Sequence, residues 1–242
     1  MRRIEPRDAA RTSTYRRAWR RAWPLAAILA LALAACASSA GPNAADILRR
    51  AGTKFQATQS FHFALTASHL GANDPLPITA ATGDVQRPDK LKANATANIA
   101  GFAVQTQLVI LGSDEWLSNP LTGAFEKTTG YDSLLAIFDA QQGVGAILAH
   151  LTKPTAPVSS SSAGGACWKI TGTVSASDLA AVVGGGDTTA KAVPVTVCVG
   201  KTDDELYSAI LAGPVLASDT VQTTRSFVLS AFDRPVTITA PQ

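Results

Sequence analysis

Histidine, cysteine and methionine are all scarce in this chain of 242 residues, which has three histidines, three cysteines and one methionine. His62, His69 and His150 stand at no metal-ligand spacing and no CxxC occurs, so a metal centre has no ligand set. Gly-x-Ser-x-Gly is absent as well, which removes the nucleophile elbow of serine hydrolases. The only paired carboxylates, Asp114-Glu115 and Asp203-Asp204-Glu205, flank strand starts, as polar loop residues do, and make a poor acid/base couple. Neither catalysis nor a cofactor is expected. Long apolar runs are lacking too: Trp23 to Ala35 is roughly a dozen residues, against the about 20 that a membrane-spanning helix needs.

That short run follows Arg2, Arg3, Arg7, Arg11, Arg16, Arg17, Arg20 and Arg21, and no charge appears from Ala22 to Ala45. A basic region followed by an apolar one is the pattern of a signal peptide. The paired arginines fit general and twin-arginine export alike. The run ends in Leu33-Ala34-Ala35-Cys36. An aliphatic residue, two small residues and a cysteine form a lipobox, in which the thiol becomes a thioether to a diacylglyceryl group, with palmitate among the expected acyl chains. Residues 1–35 are therefore expected to be removed, 36–43 to be a lipidated tether and 44–242 to form one domain. The product is expected on the outer face of the cell membrane.

Removing the leader changes the charge balance. The chain has 21 basic and 18 acidic residues; without the leader's eight arginines, Glu5 and Asp8, 13 and 16 remain. The mature part is mildly acidic, so nucleic-acid binding has no electrostatic basis. Cys167 and Cys198 then remain in an oxidising compartment, where a disulfide is expected in preference to a zinc site.

Beyond the small, polar Ala37 to Asn43, Ile47, Leu48, Ala51 and Phe55 share one face of a helix that Asn43 is placed to cap. From Ser60 the period becomes two. Phe61, Phe63 and Leu65 alternate with polar or small residues, as do Leu91, Ala93, Ala95, Ala97 and Ile99, and Val104, Leu108 and Ile110 line one side of Phe102 to Leu111. Glu115 to Ser118 and Ala124 to Lys127 flank the turn Asn119 to Gly123. Tyr131 to Leu151 reads as two helical pieces interrupted near Gly143 and Gly145, carrying Leu134, Leu135, Ile137, Phe138, Val144, Ile147, Leu148 and Leu151. Ser159 to Gly165 reads as a loop. Strands follow at Ala166–Val174, Val193–Val199, Glu205–Ala212, Thr223–Phe232 and Pro235–Ala240, with a Ser175-capped helix over Leu179 to Val183. The cysteines fall on the more polar side of their strands. The order predicts an α+β fold, a long antiparallel sheet with helices on one face.

The lipobox, Ser60-Phe-His-Phe-Ala-Leu65, Gly83-Asp-Val-Gln-Arg-Pro-Asp-Lys-Leu91, Trp116-Leu-Ser-Asn-Pro-Leu-Thr-Gly123 and Val193-Pro-Val-Thr-Val197 together resemble the LppX/LprA/LprF/LprG lipoproteins of mycobacteria and related bacteria. The resemblance implies a curved antiparallel half-barrel, similar to the LolA and LolB carriers, with helices on its concave face. It also implies an apolar cavity that takes the acyl chains of lipids or lipoglycans and assists their movement across the envelope. Phe61, Phe63, Leu65, Val104, Leu108, Ile110, Leu134, Ile137, Phe138, Ile147 and Leu148 are the candidate lipid contacts. By periodicity alone they serve equally well as the filled core of a structural or adhesive surface domain. No protein partner is legible.

Overall fold

The structure, a computed structural model, describes residues 41–131 and 133–242; the leader and Cys36 lie outside the described residues. Helix α1 spans Ala44–Ala57, and Asn43 caps it by accepting from the amides of Ala45 (2.9 Å) and Asp46 (3.4 Å). Asp46 in its first turn and Lys54 in its last suit the helix dipole. Its buried residues, Ile47, Leu48, Ala51 and Phe55, form the expected single face. Thr58 ends it, donating from both its amide and its hydroxyl to the Lys54 carbonyl.

Eleven strands follow: β1 (Ser60–Ser68), β2 (Ile78–Gln86), β3 (Lys90–Ile99), β4 (Phe102–Leu111), β5 (Asp114–Ser118), β6 (Phe125–Thr128), β7 (Val158–Ser162), β8 (Gly165–Ser175), β9 (Ala192–Gly200), β10 (Leu206–Ala212) and β11 (Thr224–Ser230). Between β6 and β7 lie the short helices α2 (Ser133–Ala136) and α3 (Val144–His150). The strands make one antiparallel sheet in the order β6-β5-β4-β3-β2-β1-β11-β10-β9-β8-β7. It consists of two meanders. The first runs outward from β1 to β6, the second inward from β7 to β11, and they meet where Phe63 pairs with Leu229 and Leu65 with Phe227.

Helices cover one face, giving the expected α+β half-barrel. Helix α1 packs on α3 and β9, and α3 on β8. Between helices and sheet runs one continuous buried cluster, from Leu91 and Ile110 through Phe61 and Phe227 to Val197 and Ile170. At the middle of α1 Arg50 meets Asp204 at 3.0 Å, and in its last turn Lys54 meets Glu205 at 3.0 Å. The Asp203-Asp204-Glu205 run is thus an attachment point for α1 and not a solvated loop. Glu115 is likewise buried and accepts from the Tyr131 amide.

Other expectations need correction. Ser159 to Ser162 belong to an edge strand paired with β8, because a serine run makes ladder hydrogen bonds as readily as any other backbone. Residues 78–86, which lack clear alternation, form β2 between β1 and β3. Pro235 to Ala240 forms no strand: the nearby β11 already pairs on both sides, with β1 and β10. Residues 176–183 form two 3₁₀ turns, and the Ser175 hydroxyl bonds Ser177 Oγ instead of capping a helix. Gly145 lies inside α3, so the helical interruption precedes Val144. Cys167 and Cys198 form the expected disulfide, with Cα atoms 5.6 Å apart. As expected, the bridge joins neighbouring strands, β8 and β9, away from the main core; it is nonetheless buried, with Tyr207 in a small second cluster against Phe232.

Candidate functional site: the interior between sheet and helices

Alternation along β1 aims Phe61, Phe63 and Leu65 at the helices, and all three are buried. Phe61 sits between Phe55 of α1 (ring centroids 5.7 Å) and Phe138 (5.8 Å), and Phe138 also stacks on Phe63 at 4.3 Å. Tilted and edge-on aromatic pairs of this kind add about 0.5–1.5 kcal/mol each beyond the area they bury. Leu108 and Ile110 of β4 extend the same surface through Ala93 and Leu91 of β3. From the other side come Ile137, Ile147 and Leu148, fully within the cluster, and Leu134, which packs against it while half-buried. Ten of the eleven candidate residues therefore converge. Val104 lies on the same face of β4 but beyond the cluster, half-buried.

Arg87, in the turn from β2 to β3, closes one margin of this interior. Its Nη1 donates to the carbonyls of Phe55 and Thr58, and Nη2 to that of Phe138 (3.0 Å), so one guanidinium satisfies the end of α1 and the turn after α2. Its carbon lies 4.4 Å from the Phe55 ring centroid. Burial pushes the guanidinium below its ordinary value, although Asp139 and Asp233 pull the other way. Sequence reasoning missed this role. An arginine before proline carries no periodic signal, and its partners are carbonyls from two distant segments.

Two clefts border the interior, the first of mixed lining that includes Gln59, Asp139 and Gln142, the second mainly apolar. One, of about 490 Å³, opens beside Arg87 between Val85, Leu135 and Phe138. Another, of about 470 Å³, separates α1 from α3 between Leu48, Gly52, Leu148 and Pro154. The sheet's opposite face is polar, with a shallow groove among Thr82, Asn94, Gln105 and Gln107. The histidines are apart from one another: His62 Nδ1 lies 2.8 Å from Asp84 on that outer face, and His150, at the end of α3, lies 3.3 Å from Asp178. Among the described residues no cluster of His, Cys, Asp and Glu converges to hold a metal ion, and no helix is long and apolar enough to cross a membrane.

An open antiparallel half-barrel with an apolar, helix-covered interior is the architecture these residues define. The chain belongs to the LppX_LprAFG lipoprotein family, whose model matches residues 43–238. The fold is similar to LprF from Mycobacterium bovis (TM-score 0.66, 21% identity, 83% of this chain and 99% of that one). It is also similar to lipoprotein LppX from Mycobacterium tuberculosis (TM-score 0.59, 22% identity, 81% and 98%). Comparison with curated proteins finds no match.

Proposed function

We propose that this is a lipid-anchored, extracytoplasmic carrier that takes acyl lipids or lipoglycans between its sheet and helices and assists their transfer across the cell envelope. The observation that carries the reading is how the interior over β1 to β4 is closed. Phe138, in the turn after the four-residue helix α2, packs on Phe61 and Phe63 of β1, and Leu135 of α2 shares a cleft with Val85 of β2. A helix that short has no stability of its own. It stays because Ile137 and Phe138 are buried in the cluster while Leu134 and Leu135 pack against it, and an acyl chain is a like-for-like replacement for such side chains. Membership of a lipoprotein family and the apolar lining support the same reading.

Mass spectrometry of organic extracts from purified residues 43–242 tests it. Compact packing and the whole sheet fall within Pro42–Gln242, so this part suffices for folding. Co-purifying acyl lipids are the expected result. An extract free of them, from a domain that also fails to take a palmitoylated fluorescent lipid from vesicles, would overturn the proposal. One observation favours a second reading, a surface domain with a filled core: Phe61, Ile110 and Ile147 have no exposed surface. The same extract separates the two.

A further inference from the structure

The hairpin joining β3 to β4 ends in an apolar pair that no described residue covers. Ile99 and Phe102 are cross-strand partners at its tip, 55% and 74% exposed. In the next turn along the sheet, between β5 and β6, Leu121 is 96% exposed. Leu117 pairs with Leu108, so the β5–β6 turn points the same way along the sheet as the β3–β4 tip, stopping beside Gln105 to Gln107. Charge is missing from the two turns themselves, although His69, in the loop after β1, shares a pocket with Asn98, Ala100 and Gly101. No ionisable side chain occurs from Ala93 to Ser113 or from Trp116 to Phe125, and the neighbours of the three apolar residues are Asn98, Ala100, Gly101, Asn119, Thr122 and Gly123.

The tips also connect to the interior. Along the helix-side face of β3 and β4 the cross-strand pairs are Ala93–Leu108, Ala95–Thr106, Ala97–Val104 and Ile99–Phe102. Exposure rises along this series. The first pair is buried, the next two are half-buried and the last is exposed. Small side chains on β3 keep the track shallow, and it carries no charge.

We propose that the β3–β4 and β5–β6 tips dock on a lipid bilayer, inserting Ile99, Phe102 and Leu121, and that the alanine-lined track behind them is the route by which an acyl chain passes between bilayer and interior. A bilayer is the occupant because the apolar groups stand on two separate turns and not on one flat patch, with small uncharged residues between them. Entering the headgroup boundary then desolvates no charge, which would be costly. The route, unlike the docking, rests on the carrier reading above.

The test uses residues 43–242 without the acyl anchor and vesicles of pure phosphatidylcholine. Binding is expected, and it should persist when salt is raised, because no charge contributes. Phe102→Asp with Leu121→Asp should weaken it at least about tenfold, since each replacement removes an apolar side chain from the bilayer. Thermal unfolding should not move, because both side chains are exposed in the fold. Ala97→Trp should retain vesicle binding while slowing uptake of a palmitoylated fluorescent lipid. Wild-type protein that ignores the vesicles, a double aspartate variant that binds them equally well, or tips that prove to mediate self-association would overturn the docking proposal. Uptake undisturbed by Ala97→Trp would overturn the route. Vesicle binding without lipid uptake by the wild type would overturn the route and the carrier reading together and leave docking standing.

Discussion

Arg225 holds Asp219 with both of its terminal nitrogens, Nη1 to Oδ2 at 2.8 Å and Nη2 to Oδ1 at 2.9 Å, while Nη2 also reaches Asp74 at 2.6 Å. All three side chains are buried. Asp219 further accepts the amides of Val215 and Leu216, and Asp74 accepts that of Leu76. The triad thereby ties the loop before β2 to the loop before β11. Removing one member of such a group strands a buried charge, at a cost of about 3–5 kcal/mol. Arg225→Met should lower urea stability by that order, and adding Asp74→Asn and Asp219→Asn should restore part of it. An Arg225→Met protein as stable as the wild type would show that the triad contributes nothing.

Two carboxylates should give stability opposite slopes with pH. Burial alone would raise Asp219, but the Arg225 hydrogen bonds and the amides of Leu216 and Val215 outweigh it and leave the carboxyl below its usual range. A depressed folded value means stability that is present at neutral pH and lost as pH falls through that value. Burial raises Glu205 in spite of Lys54, although the same pair raises Lys54. The attraction is real but smaller than the cost of burying a carboxylate whose Oε2 has no partner among the described residues. Its contribution is therefore present below the ordinary 4.5 and lost as pH rises through the folded value. Thermal unfolding across pH should find Glu205→Gln flattening the upper slope and Asp219→Asn the acid one. Unchanged slopes in both variants would contradict the assignment.

The disulfide offers a third measurement. Its cysteines are 31 positions apart, and closing a loop of that size in the unfolded chain is worth about 3–4 kcal/mol. Cys167→Ala with Cys198→Ala should lose that amount in denaturant titration, and the folded wild-type domain should offer neither thiol to a labelling reagent. Stoichiometric labelling without reductant would be the contrary result.

Anchoring by Cys36, expected from the sequence, is tested by cell fractionation. A diacylglyceryl group contributes about 0.8 kcal/mol per buried methylene over two chains, enough for stable attachment. Cys36→Ala should leave the membrane fraction or persist as precursor. Mature, membrane-bound Cys36→Ala protein would rule the lipobox out.

Much of the architecture was legible because burial imposes periodicity. The α1 face and its Asn43 cap, the alternation of β1, β3 and β4, and the apolar positions of the short helices could be read directly from the sequence. Strand β2 could not, since Ala80, Ala81 and Gly83 add too little contrast between faces. Strand β7 was hidden for the opposite reason: a serine run reads as a loop until a partner strand is known. The residues 235–240 alternate well, and Ile238 is buried, yet alternation does not supply a free sheet edge. Most of the candidate interior was visible as apolar faces. Its margin at Arg87 was not, because hydrogen bonds to carbonyls of Phe55, Thr58 and Phe138 depend on tertiary placement.

The two-meander plan bears on when the fold can complete itself. Within each meander, neighbouring strands are also neighbours in sequence and can pair as soon as they are free. The seam is different: His62 to Ser68 must wait for Thr224 to Ser230, and α1, at the start of the domain, must wait for Asp204 and Glu205 before its far end is secured. Both long-range closures join the first quarter of the domain, residues 43–242, to its last, so a chain delivered end-first lacks the partners that would lock it. Sheet order thus postpones the cooperative step until the last strand has been delivered, a timing that would suit the export proposed above.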